Sequence, residues 1–321
     1  MTHPQSLAFS KNPAASKSRS TGDQAQALRG LMQRLQSDRA EPTVAPRSRR
    51  AFAIGVTSGK GGVGKTNIAL NLAIALARLD AGTCLVDANL GLGNIDLLCG
   101  LNGYWNLSHV VSGARNVRDI VLAGPEGINV IPGASGLTEL ADCPASAQAD
   151  LFRQLTEFEE SHDFLVIDTS AGIHRPMREF LNACDLVLVV TTPEPTSIAD
   201  SYALIKTLSG SDIPHLEVLV NQSDSAPQAH QVAERIQQTA RMFLHLEVAA
   251  AGFVPKDPQV PAAVVRRRPF LIETPESPAS AAIQQLAARL KRLFERQPAQ
   301  TTAERGSFFP RMQTHRVRRA A

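Results

Sequence analysis

Only four cysteines occur in the 321 residues, Cys84, Cys99, Cys143 and Cys184, and no two of them form a C-x-x-C pair. That spacing argues against an iron–sulfur carrier, a zinc framework or a disulfide-stapled secreted domain, and the thiols read as reduced. Tyrosine is scarce as well. Tyr104 and Tyr202 are the two, so there is no tyrosine-rich tail of the kind a self-phosphorylating kinase would need. No stretch approaches the ~18 apolar residues of a membrane span, and the opening MTHPQSLAFSKNP has no apolar run of a secretory leader. The expectation is a cytoplasmic protein. No fixed-period repeat suggests a solenoid.

Charge of one sign is lacking where a basic protein would be expected to carry it. The pI is 8.8, but residues 1–50 hold nine Lys/Arg against three Asp/Glu, and residues 297–321 hold five against one. This terminal excess of ten, set against a total of +3, leaves residues 51–296 at −7. A nucleic-acid-binding core is therefore not expected. The basic ends suit an acidic partner or an anionic membrane surface.

Residues 1–50 are rich in Ser, Pro, Gln and Arg and read as a mostly disordered extension with one short helix at about 21–36. From Ala51, short apolar runs (AFAIGVT, TCLVDA, INVIP, DFLVID, DLVLVVTT, HLEVLVNQ, LEVAAAGFVP) alternate with helical patterns near 145–161, 196–209 and 226–243. Nearly uniform apolar strands separated by helices predict a three-layer α/β fold, a mostly parallel sheet covered on both faces. Its ligand site belongs at the carboxyl ends of the strands. PASAAIQQLAARLKRLFER, residues 278–296, predicts a closing helix, so the main domain is placed at 51–296 and a basic tail at 297–321.

GKGGVGKT, residues 59–66, follows a strand and precedes a helix, and fits G-x-x-x-x-G-K-[ST]. Gly59, Gly61, Gly62 and Gly64 free the backbone to wrap N–H groups around phosphate oxygens, with Val63 and Asn67 completing the loop. Lys65 is expected to neutralise the β- and γ-phosphates of a nucleoside triphosphate, and the Thr66 hydroxyl to coordinate Mg²⁺.

The additional lysine after the first glycine, Lys60, resembles the deviant Walker A motif of the MinD/ParA family of P-loop ATPases. The resemblance covers residues 51–296. It implies that Lys60 reaches the phosphates of a second copy, so that ATP closes a homodimer. CLVDANLGLGNIDLLCG resembles the family's switch segment, which implies a catalytic and metal-binding role for Asp87. FLVIDTSAGI resembles the D-x-x-A-G segment, which implies that Asp168 holds Mg²⁺ through water. VLVNQ and GFVPKD imply that Asn221 reads adenine and that Pro255 walls the base pocket, with no N/T-K-x-D guanine motif present. One position departs from the family pattern. Asn89 stands where a second aspartate orients the attacking water, and an amide is a negligible general base at neutral pH; slow ATP hydrolysis is expected.

At the amino end, TGDQAQALRGLMQRL has Thr21 as an N-cap and Ala25, Leu28, Met32 and Leu35 on one helical face. DQAQALR resembles the D-Q-A-x-x-L-R motif of the flagellar-regulator branch of the family, FlhG (also FleN or YlxH). That resemblance implies that Asp23, Gln24, Leu28 and Arg29 dock on the signal-recognition-type GTPase FlhF and stimulate its GTP hydrolysis. Flagellar switch proteins and a transcriptional activator stand as further partners. The tail GSFFPRMQTHRVRR has Phe308 and Phe309 as apolar anchors and Arg311, Arg316, Arg318 and Arg319 for anionic lipid. Pro310, however, is expected to interrupt any helix holding both groups, which leaves a membrane contact in the ATP state and a disordered basic tail as equal alternatives. The other functional reading is a ParA-type partitioning ATPase, with Arg266, Arg267 and Arg268 holding DNA nonspecifically.

Overall fold

The computed structural model describes residues 50–89, 95–101, 103–133, 144–210, 213, 215–296 and 306–320. The 1–50 extension, with its activator motif, lies outside them except for Arg50, as do residues 90–94 of the switch segment. β1 (Phe52–Thr57) leads through the glycine loop into α1 (Lys65–Ala77), and β2 (Thr83–Ala88) follows. Short helices α2 (Ile95–Cys99), α3 (Leu107–Val111) and α4 (Val117–Ile120) connect to β3 (Leu122–Ala123) and β4 (Asn129–Ile131). Then come α5 (Ala145–Glu159), β5 (Phe164–Thr169), α6 (Arg175–Ala183), β6 (Leu186–Thr191), α7 (Pro195–Leu208), β7 (His215–Ser223), α8 (Ala226–Leu244) and β8 (Ala249–Pro255). The chain continues through α9 (Gln259–Val265), α10 (Phe270–Glu273), α11 (Pro278–Arg296) and α12 (Phe308–Ala320).

The strands form one eight-stranded sheet in the order β3-β4-β2-β5-β1-β6-β7-β8, parallel except for the β3–β4 pair. The expected three-layer α/β architecture is what forms. Alternation along each central strand divides the core. Phe52, Ile54 and Val56 of β1 join Phe164 and Val166 of β5 under α1 and α11. Ala53 joins Leu165, Ile167, Val187 and Val189 on the opposite side, under α5, α6, α7 and α8. Burial on both faces is what makes these strands read as continuous apolar runs.

The tail departs from expectation. Pro310 does not interrupt a helix: it lies in the first turn of α12, where its missing N–H has no intrahelical partner to lose. Phe308 and Phe309 are fully buried and, with Met312, enter the same core cluster as α5 and α6. The two aromatics are thus core residues in this state rather than free lipid anchors. The helical part of the 297–321 segment packs onto the main domain instead of trailing from it. Polar contacts fix its start: the Glu159 carboxylate accepts the backbone N–H groups of Phe308 at 2.8 Å and Phe309 at 3.2 Å. A carboxylate at a helix amino end satisfies two otherwise orphaned donors and complements the helix dipole. Side chains from residue 315 onward, including Arg316, Arg318 and Arg319, lie outside the described set.

Candidate nucleotide site

The site is built where β1, β2 and β5 end. β1 delivers Thr57 and Ser58 into a turn whose Gly62 (φ +78°) and Gly64 (φ +91°) take left-handed backbone, and α1 starts at Lys65. Left-handed backbone at two positions in three residues curls the loop, the kind of backbone from which an anion-binding cradle of amides is built. Gly59 is required for another reason. A Cβ there would fall 2.1 Å from the backbone oxygen of Asp200, so α7 packs directly against the loop. Ser58 donates its hydroxyl to the Lys60 carbonyl at 2.6 Å, and Gly172, from the segment after β5, donates its N–H to the Ser58 carbonyl at 3.0 Å.

Lys65 is buried at the base of the cradle. Burial lowers its pKa, and the nearby Asp168 carboxylate works against that shift. Asp168 lies level with Asp87 across the β2–β5 pair. Burial pushes the Asp168 carboxyl up to about 7; Asp87 adds to the rise, while the Thr66 hydroxyl, hydrogen-bonded to it, and Lys65 oppose it. Its Oδ1 is buried with no hydrogen-bond partner. An unsatisfied buried carboxylate oxygen beside a threonine hydroxyl is a donor set suited to a hydrated divalent cation with high oxygen affinity. Asp87 accepts the Asn89 backbone N–H at 3.1 Å, which turns the chain at the end of β2. Among the described residues no group of three or more His, Cys, Asp or Glu side chains forms a metal cluster. A cation here would therefore need phosphate oxygens and water to complete its shell.

Lys65, Thr66, Asp87, Asn89 and Asp168 thus meet at one end of the sheet. Gly59, Gly61, Gly62, Val63, Gly64 and Asn67 surround them in the loop and first turn of α1. Asn221 and Pro255 come from the ends of β7 and β8, where the strands pair Asn221 with Val254 and Ser223 with Pro255. Lys60 points elsewhere. Its ammonium pairs with Glu194 just before α7 and lies 3.1 Å from the Thr196 hydroxyl. Sequence reasoning missed this pairing because nothing in the spacing of residues 134 apart signals it.

The sequence family described as an AAA domain matches residues 51–212. The antiactivator FleN of Pseudomonas aeruginosa is 37% identical over 238 residues, covering 74% of this chain and 85% of FleN. The chain belongs to the FleN/YlxH branch of the MinD-type ATPases. The flagellum site-determining protein YlxH of Helicobacter pylori is 35% identical over 188 residues, 59% of this chain and 64% of YlxH. Among solved structures, the MinC:MinD cell division complex of Aquifex aeolicus superposes with a TM-score of 0.60 at 25% identity, covering 75% of this chain and 96% of that one. The sheet order and the loop-to-α1 junction described above are thus the frame of a MinD-type ATPase, and FleN-type relatives align over most of that frame. Among the described residues no helix is long and apolar enough to cross a membrane.

Proposed function

We propose that this FleN-type ATPase is an ATP-dependent dimerising switch that regulates flagellum number or placement. Its amino-terminal segment stimulates a signal-recognition-type flagellar GTPase. The observation that carries the reading is the loop itself: a buried Lys65 serves a nucleotide within the chain, while Lys60 is held outside the cradle, where a second chain could meet it. The FleN and YlxH relatives supply the flagellar context.

In this reading ATP lies along the loop with its phosphates on the amides of residues 61–66 and on Lys65. Thr66, Asp87 and, through water, Asp168 would hold Mg²⁺, which would supply charge neutralisation at the phosphates. Phosphate oxygens would join Asp168 in favouring the charged form of Lys65 against the burial that disfavours it. Pro255 borders the base. On dimerisation Lys60 leaves Glu194 and stabilises charge on the partner's transferring phosphoryl group. Asn89 can hold a water by hydrogen bonds but takes no proton from it, so hydrolysis is slow and the ATP state long-lived. Asp23, Gln24, Leu28 and Arg29 form the activator face, ordered by its partner. Release of α12 in the ATP state would present Phe308 and Phe309 to a membrane.

The test adds full-length protein to the cognate flagellar GTPase and follows GTP turnover with and without ATP. Stimulation that disappears in Gln24→Ala is the expected result. No stimulation, or stimulation that persists in that variant, removes the activator role. A ParA-type reading would instead require DNA binding that falls steeply with salt and is lost on neutralising Arg266, Arg267 and Arg268.

A further inference from the structure

Asn221 lies at the carboxyl end of β7, 8% exposed. Sequence reasoning assigns it to the base, yet its side chain already has a partner in the phosphate loop. Nδ2 donates to the Val63 carbonyl at 2.8 Å, across 158 residues of chain. The same amide occupies the space beside Gly64, where an added Cβ would fall 2.5 Å from Asn221 Nδ2. Position 64 therefore demands glycine twice over, for its φ of +91° and for this close approach.

The Val63–Gly64 peptide is a planar trans unit, so its C=O and N–H point in opposite directions. Fixing the Val63 carbonyl on Asn221 fixes the direction of the Gly64 N–H. If that carbonyl swung free, a peptide flip would exchange an inward donor for an inward oxygen, and an oxygen in the cradle repels phosphate. An asparagine amide has two N–H donors and one carbonyl. One donor is committed to Val63, which leaves one donor and one acceptor, the complement of the N7 acceptor and N6 amino group of adenine.

Resting on the nucleotide reading above, we propose that Asn221 is a positioning residue for phosphate binding: by anchoring the Val63 carbonyl it orients the Gly64 N–H toward the triphosphate and ties the base end of the site to the phosphate end. A residue that only reads adenine would be indifferent to a ligand without a base. Asn221 is not.

The experiment measures binding of ATP and of inorganic tripolyphosphate, each with Mg²⁺, by calorimetry on the full chain and on Asn221→Ala and Asn221→Leu. The Leu variant keeps about the size and shape of the side chain and removes the donor without adding a charge, so it is the control if the Ala variant does not fold. Both are expected to lose about five- to tenfold in tripolyphosphate affinity, the scale of one buried hydrogen bond. The loss for ATP should be equal or larger. A second readout separates positioning from general loosening: the amide resonance of Gly64 should shift on saturating the native chain with tripolyphosphate and shift markedly less in the variants at equal saturation, with the melting temperature of the free protein retained. Tripolyphosphate affinity within twofold of native in both variants, with ATP affinity reduced, overturns the proposal and leaves Asn221 as a base reader in an intact nucleotide site. If the native chain binds neither ligand, the nucleotide reading itself fails and takes this inference with it.

Discussion

Arg311, in the first turns of α12, places both terminal nitrogens on the Asp185 carboxylate, at 2.9 and 3.2 Å. Arg50, the residue before the first strand segment, grips the same carboxylate with two bonds of 2.7 Å, and the Ala53 N–H adds a third donor at 2.9 Å. Burial alone would raise the Asp185 pKa; the Arg50 and Arg311 guanidinium groups more than offset it and hold the carboxyl below its ordinary range. One side chain therefore pins both ends of the domain. Removing a single partner from such a buried cluster leaves charge uncompensated. Asp185→Ala is expected to lower the unfolding free energy by about 3–5 kcal/mol in urea titration. A loss below about 1 kcal/mol would mean that the two arginines find water when Asp185 is gone.

Glu159, fully buried beneath the start of α12, gives the same contact a pH dependence. Burial raises its carboxyl to about 7, against the bonds from Phe308 and Phe309 and the charges of Arg311 and Arg50, which lower it. A carboxyl raised in the folded state stabilises most below its unfolded pKa, and that contribution is lost as pH rises through the folded value. Between about pH 4.5 and 7 the native chain binds the proton that the unfolded chain has released. Stability from this group should fall across that window by roughly 1–3 kcal/mol. Glu159→Gln, which cannot ionise, should flatten that part of the profile when melting temperature is followed against pH. An unchanged slope in the variant would place the effect on another group.

The sheet was legible because burial on both faces writes itself as apolar runs, and the loop because phosphate cradles need glycine at fixed offsets. Lys65, Thr66, Asp87 and Asp168 converge as their strand-end positions imply. What could not be read were contacts whose partners are distant in sequence: Lys60 with Glu194, Asn221 with Val63, and the Glu159 and Asp185 seats for α12. Pro310 illustrates the difficulty. Its effect on a helix depends on position, and only the structure places it in the first turn. The pair Phe308–Phe309 carries the same ambiguity, since two adjacent aromatics suit a lipid surface and a core groove equally well until the groove is seen.

Lys60 and Glu194 form an exposed pair, with side chains 37% and 63% accessible, so the contact contributes little to folding. On the proposed dimer reading, its consequence is kinetic and associative. Lys60→Ala is expected to abolish ATP-dependent dimerisation or turnover while leaving ATP binding through Lys65 in place. Glu194→Gln should leave the melting temperature within about 3 °C, because a surface pair of this kind is worth roughly 0–1 kcal/mol. Sedimentation with ATP, followed by phosphate release, checks both variants. Normal dimerisation and hydrolysis by Lys60→Ala would refute the trans role of this lysine.

Asn89 sits two residues beyond Asp87, half-buried, with its backbone N–H committed to the Asp87 carboxylate. That turn fixes where side chain 89 starts, so Asn89→Asp changes its chemistry with little change of shape. A carboxylate there can both orient a water and accept its proton, an effect usually worth 10²–10⁴ in rate. It also places a third negative group near Asp87 and Asp168, and like charges disfavour ionisation of each other, so only part of that gain is expected at neutral pH. Turnover of Asn89→Asp should exceed native by about tenfold or more. Phosphate release at saturating ATP and Mg²⁺ measures this directly. A native rate equal to or above that of the variant would mean that the amide already serves the water as well as a carboxylate could, and would remove the proposal that Asn89 makes hydrolysis slow.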